Sequence, residues 1–276
     1  MPRKLTDAQV TAYQRDGYLS PVTVMSPDDA AAVRKALEQA EAEWPEALAG
    51  AGRNNAHLTL TCLDELVHDA GILDAVEDLI GPDILVYGTV LFIKEPQDPG
   101  FVSWHQDATY MGIDPFIGVT AWIALSPATV ESGCMRMVPG SHTDAIQPHT
   151  DTFGADNILT RGQTIENVDE TSAVDVVLAP GQLSFHHPQI IHGSRPNRSD
   201  HRRIGFTIQS YLDPRARQTL GDTYVQLARG TDSQGHFSVA PRPARDMAPE
   251  AVALRDQVNQ QWADILYHGA EKQRDY

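Results

Sequence analysis

The stretch 84-ILVYGTVLFI-93 decides the architecture of this chain. It is rich in Ile, Val, Leu and Phe and lies between turn formers, with Gly81-Pro82 before it and Pro96 after it, which is how a strand reads. The same texture recurs downstream in Val119–Leu125, Cys134–Val138, Ala173–Leu178, Gln182–Phe185 and Ile204–Tyr211, with clusters of Gly, Pro, Asp and Asn between the runs. No helical pattern of about ten residues separates these runs, so antiparallel sheets closing as a sandwich or barrel fit better than βαβ units. The expectation is a mainly β fold with α elements: a double-stranded β-helix, the jelly-roll or cupin-like arrangement, over residues 84–212.

Upstream the pattern is helical. Residues 6–16 open with Thr6 and Asp7 as capping candidates and stop near Gly17, before the apolar stretch Tyr18 to Val24. Residues 26–43 begin Ser-Pro-Asp-Asp and end at Trp44-Pro45. Residues 63–80 carry Leu63, Leu66, Val67, Ile72, Leu73, Val76, Leu79 and Ile80 at helical spacing up to Gly81-Pro82. Residues 142–172 are polar and irregular, and a loop of that length in a compact domain usually carries function or is mobile. Residues 248–276 read as a closing helix. One domain over 1–276 is expected, with helical support from 1–83, the jelly-roll core and a C-terminal segment from 213–276.

The chain has 276 residues, 41% hydrophobic and 21% charged, enough for a sizeable core and unlike a disordered chain. Its formal charge of −16 repels phosphate backbones and anionic membranes, which argues against a nucleic-acid or membrane partner. Cys62 and Cys134 match no paired motif and read as small buried hydrophobes. With no apolar signal segment behind the basic residues at the N-terminus, and no transmembrane run of about eighteen apolar residues, the expected location is the cytoplasm.

The chemistry concentrates in Ser103-Trp104-His105-Gln106-Asp107. In an extended segment residues i and i+2 share a face, so the His105 imidazole and Asp107 carboxylate can converge. Taken alone, H-x-D is a weak signal that a surface hydrogen-bonded pair also satisfies. A third donor, His192, follows 85 residues after Asp107 in Ile190-Ile191-His192-Gly193-Ser194. Two imidazoles and one carboxylate on one face of an octahedral metal leave positions open, as non-haem iron(II) oxygenases require. Arg203, eleven residues after His192, enters the apolar run Ile204 to Ile208. A guanidinium pointing into a barrel needs an anion, and a dicarboxylate offers the planar partner that arginine fits best; a structural ion pair is its plainer reading. Alternation places Arg202 on the opposite face.

These residues resemble the phytanoyl-CoA dioxygenase family of iron(II)/2-oxoglutarate enzymes, which also includes ectoine hydroxylase. The likeness rests on W-H-Q-D at 104–107, on Glu131-Ser132-Gly133-Cys134-Met135-Arg136-Met137-Val138-Pro139-Gly140-Ser141-His142, and on His192-Gly193-Ser194 with Arg203. It implies His105, Asp107 and His192 as ligands of Fe(II), with Arg203 on the distal carboxylate of the co-substrate 2-oxoglutarate and Ser194 assisting it. Trp122 matches an aromatic residue near the co-substrate in some members and equally reads as core. On the strand before the first ligand, Tyr87 and Thr89 are the polar candidates. The implied reaction consumes O2, releases succinate and CO2, and hydroxylates an aliphatic C–H of a small-molecule substrate.

Trp104, Tyr110 and Met111 flank the ligands and read equally as pocket wall or as core. Pro139-Gly140-Ser141-His142 reads as a turn rather than as a further ligand. His186, His187 and His201 cannot all share one face, and hydrogen bonding around the ligands is their best functional role. The halogenating relatives of these enzymes have a small residue in place of the carboxylate ligand, which Asp107 argues against. A zinc hydrolase could use the same three donors but has no use for Arg203, and a non-catalytic jelly-roll protein that keeps its metal is the alternative from another class.

Overall fold

The computed structural model describes residues 3–273. The chain opens with α1 (Asp7–Asp16), β1 (Tyr18–Thr23) and α2 (Pro27–Glu43), then passes two short 3-10 turns into α3 (Thr61–Val67) and α4 (Ala70–Ile80). Next come β2 (Ile84–Val86), β3 (Thr89–Lys94), β4 (Val102–His105), the single turn α5 (Ala108–Met111), β5 (Gly118–Ala124) and β6 (Met135–Met137). The long connection holds β7 (Thr150–Asp151) and β8 (Gln163–Thr164), and β9 (Val174–Val176), β10 (Gln182–His186), β11 (His192–Ser194) and β12 (Arg203–Leu212) follow. The chain continues through β13 (Tyr224–Arg229), β14 (Ser238–Val239) and α6 (Pro249–Leu266).

The caps behave as the residue types dictate. The Thr6 hydroxyl accepts from Gln9 N, the Gln9 side chain returns the bond to Thr6 N, and Gly17 leaves α1 in the left-handed region at φ 78°. Ser26 caps α2. The single helix expected over 63–80 is two helices, because the Asp69 carboxylate accepts from Ile72 N at 2.9 Å and starts α4 afresh. The run Ile84–Ile93 likewise divides at Tyr87-Gly88. A Cβ on Gly88 would lie 2.0 Å from the Trp262 ring of α6, which packs into the notch. The closing helix ends at Leu266, and residues 274–276 of its expected range lie outside the described residues.

The jelly-roll expectation is met by two main sheets that do not close into a barrel. The larger runs β1-β10-β5-β12-β2-β13-β14, with β3 also on β12, and the smaller runs β4-β11-β6-β9. The sheet therefore draws β1, β13 and β14 from outside residues 84–212. Partners directly opposite in an antiparallel pair share a face. On β12, Ile204, Phe206 and Ile208 pair with Ile93, Leu91 and Thr89 of β3, and the three β12 side chains join the core formed with Leu37, Leu63, Val67, Ile72 and Val76 of the helices. The other face carries Arg203, Gly205 and Thr207, opposite Lys94, Phe92 and Val90. Arg202 turns away, its Nη1 at 2.6 Å and Nη2 at 2.8 Å from the Glu41 carboxylate of α2, which locks the register of the strand.

Candidate metal centre

His105 and His192 are direct partners across β4 and β11, so the pairing of the small sheet sets their rings side by side, 4.1 Å between centroids. His105 Nδ1 donates to the Ser103 and His192 carbonyls at 2.9 and 3.1 Å, and His192 Nδ1 to the Ile190 carbonyl at 3.1 Å. Since a carbonyl only accepts, both Nδ1 atoms carry the proton and both Nε2 lone pairs are free for a metal. Asp107 does not arrive by strand alternation as the sequence argument supposed. β4 ends at His105, and Asp107 adopts helical dihedrals, φ −55° and ψ −42°, at the start of α5. The turn swings its Oδ1 to 3.2 Å from His105 Nε2 and 3.9 Å from His192 Nε2. One donor atom from each of the three lies within 4.8 Å of the others, a grouping that could hold a metal ion.

The protonation states suit that role. Burial alone would raise the Asp107 carboxyl, but the imidazoles of His192, His105 and His186 outweigh it and hold the group well below the usual carboxylate range. Burial, and then the neighbouring His105, lower His192 to about 3. A neutral imidazole beside an ionised carboxylate is what metal binding needs.

Gln106, fully buried between the two ligands, ties the surrounding chain together. Its Nε2 donates to the Gln189 carbonyl at 2.7 Å, three residues before His192, and its Oε1 accepts from Gln147 N at 2.8 Å. Its own N–H donates to His149 Nε2 at 3.0 Å. Segment 142–172 is thus fastened to the metal limb. His186 stands beside the cluster, Nε2 3.9 Å from Asp107 Oδ2 and its ring 4.9 Å from His192. His187 accepts from Gln189 N, His201 reaches the Pro127 carbonyl and His142 the Gln14 carbonyl, so none of these three joins the cluster.

A cavity of about 290 Å³ opens from the cluster between the two sheets, and His105, Asp107, His192, Ser194, Trp122 and Arg203 all line it. Arg203 is 1% exposed, lies 5.4 Å from the centroid of the Trp122 ring, and keeps Nε and Nη2 without a hydrogen-bond partner. Burial lowers its pKa to about 10 and leaves it charged. A Cβ on Gly205 would sit 1.9 Å from the Trp122 ring, so only glycine lets the indole lie across the strand there. Ser194 Oγ accepts from Lys94 Nζ at 2.8 Å. Tyr110 and Met111 line the cavity, as does Tyr87, whose hydroxyl accepts from Gln218 Nε2 at 3.0 Å. Trp104 does not: Nε1 donates to Glu170 at 3.2 Å and Arg136 covers the ring. Thr89 also faces away, its hydroxyl bonded to His57 Nδ1 at 2.8 Å.

Four cavity or neighbouring residues escaped the sequence argument: Lys94, Gln106, Arg53 and Thr207. Arg53 Nε and Thr207 Oγ1 are buried without partners on the cavity wall. For Thr207 a signal existed, since alternation from Arg203 reaches it through Gly205. Lys94 gave none, because a lysine closing an apolar run reads as a solvated strand end.

The model of the phytanoyl-CoA dioxygenase family matches residues 13–205, and the chain belongs to that family. A probable phytanoyl-CoA dioxygenase of Caenorhabditis elegans is 29% identical over 177 residues, covering 58% of this chain and 56% of its own length. A probable alpha-ketoglutarate-dependent hypophosphite dioxygenase of Stutzerimonas stutzeri is 28% identical over 169 residues, with coverage of 60% and 58%. The chain thus spans about half the length of the curated relatives it matches. Among solved structures, the apo form of the non-heme monooxygenase ThoJ superposes with a TM-score of 0.85 at 32% identity, over 94% of this chain and 98% of that one. Among the described residues no helix is long and apolar enough to cross a membrane.

Proposed function

We propose that this protein, as one domain over 1–276, is an iron(II)- and 2-oxoglutarate-dependent dioxygenase that hydroxylates an aliphatic C–H bond of a small-molecule metabolite. One observation carries the reading: a two-His, one-carboxylate cluster shares its cavity with a buried guanidinium whose Nε and Nη2 have no partner among the described residues. Family membership and a relative whose name includes alpha-ketoglutarate dependence support it. When bound, iron(II) with 2-oxoglutarate and oxygen supplies the oxidation of the C–H bond, coupled to decarboxylation of the co-substrate to succinate and CO2.

The chain's own residues do the positioning. His105 and His192 would hold the ion through Nε2 and Asp107 through Oδ1, three protein donors that would leave room for co-substrate and oxygen. The retained carboxylate at Asp107 favours hydroxylation over halogenation. Arg203 presents Nε and Nη2 to the far carboxylate of 2-oxoglutarate, with the Ser194 hydroxyl beside it and the Trp122 face flanking the guanidinium. Tyr110 and Met111 wall the cavity next to Asp107 and limit water around the reacting atoms. Adding 2-oxoglutarate to the iron(II)-loaded protein without oxygen is expected to produce the visible metal-to-ligand charge-transfer band, and admitting oxygen to release succinate. A protein that binds iron(II) but shows neither signal defeats the proposal.

A further inference from the structure

β3 ends at Lys94, directly opposite Arg203 on the inner face of the large sheet, and the lysine is 0% exposed. An ammonium enclosed beside a guanidinium is costly, and burial first, then Arg203, lower Lys94 to about 6. No acidic side chain forms an ion pair with either cation among the described residues. Asp98, the nearest carboxylate to act on both, is occupied by the N–H groups of Gly100 and Glu95. The Cys134 thiol, pushed up to about 11 chiefly by burial, supplies no negative charge. The seat as a whole is short of an anion.

Lys94 Nζ donates to Ser194 Oγ at 2.8 Å and to the Arg195 carbonyl at 2.5 Å. A protonated Lys94 has no lone pair, so in that state its bond occupies a lone pair of the hydroxyl and the Ser194 O–H points away from Lys94, where among the described residues it has no acceptor. Ser194 faces the cavity it shares with Arg203, whose Nε and Nη2 are also unpartnered. We propose that Lys94 is a positioning residue for the co-substrate: it holds the Ser194 hydroxyl so that its proton and the free N–H groups of Arg203 converge on one carboxylate. This rests on 2-oxoglutarate being the co-substrate. The bond to Arg195 by itself describes only a staple between β3 and the end of β11, and the two roles separate experimentally.

Titrating 2-oxoglutarate into the anaerobic, iron(II)-loaded wild type, Lys94→Met, Ser194→Ala and the double variant reads the seat directly. Each single substitution is expected to weaken 2-oxoglutarate about tenfold, the loss of one hydrogen bond to a charged group, while iron(II) affinity is unchanged. Because Lys94 acts through Ser194, the double variant should fall within about twofold of the weaker single one. If Lys94→Met does not fold, Lys94→Gln, which keeps an N–H donor, takes its place and is expected to lose less. Wild-type affinity in the Lys94 variant, or two losses that multiply in full, overturns the inference. A wild type that binds iron(II) and not 2-oxoglutarate overturns the functional reading together with it, whereas equal binding by all four proteins overturns this inference alone.

Discussion

On the outward face of β12, Ile204, Phe206 and Ile208 are 0% exposed among apolar side chains of the helices, whereas on the inward face Arg203 is 1% exposed and leaves Nε and Nη2 without partners. Burial of each apolar side chain contributes roughly 1.5–3 kcal/mol to folding. A buried polar group without a partner costs about 1–3 kcal/mol. One strand thus stabilises the fold with one set of alternate residues and turns an incompletely hydrogen-bonded set toward the cavity with the other, the set to which the proposed function assigns the co-substrate. Stability and recognition are separated by the strand period of two.

The most severe test of this division lies at the metal end of the inner cavity. His105→Ala, Asp107→Ala and His192→Ala should each abolish succinate formation while the melting transition stays cooperative, because each removes one of three protein bonds to the ion. Wild-type iron affinity in any of the three would break the assigned triad. Next in size, Phe206→Ala should cost about 3–5 kcal/mol in urea unfolding, while Arg203→Met should cost nothing or stabilise the ligand-free protein by removing an uncompensated buried charge. Equal losses in the two variants would show that the inner face is structural after all.

Arg203→Ala should raise the 2-oxoglutarate requirement by about 30-fold to several thousandfold, an effect of roughly 2–5 kcal/mol, with iron binding retained. Arg202→Ala is the smallest effect. Arg202 pairs with Glu41 of α2 and with Glu95 just after β3, so some stability is expected to go, and 2-oxoglutarate affinity to remain. Loss of co-substrate in Arg202→Ala and not in Arg203→Ala would exchange the two faces.

Much of this was legible in the chain. The capping residues Thr6 and Ser26, the β texture after Ile84, the H-x-D pair with a distant His, and the opposite facing of Arg202 and Arg203 all follow from rules that act over a few residues. The errors have two causes, one local and one distant. The break at Asp69, the notch at Gly88 and the outward turn of Trp104 are settled by contacts with a local cap, Trp262 and Glu170, and in the last two the partner is more than sixty residues away in sequence.

The sequence by itself determined which donors exist and the face of β12 on which the side chains from Arg203 to Ile208 fall, because side-chain period and residue chemistry are local properties of the chain. Only the tertiary structure decided that Asp107 reaches His105 through a helical turn, that Gln106 bridges the Gln189 segment and residue 147, and that Lys94 stands opposite Arg203 and holds Ser194. The contacts of Gln106 and Lys94 depend on strand pairing and chain reversal between distant segments, and the turn at Asp107 ends the strand locally, neither of which a strand period encodes.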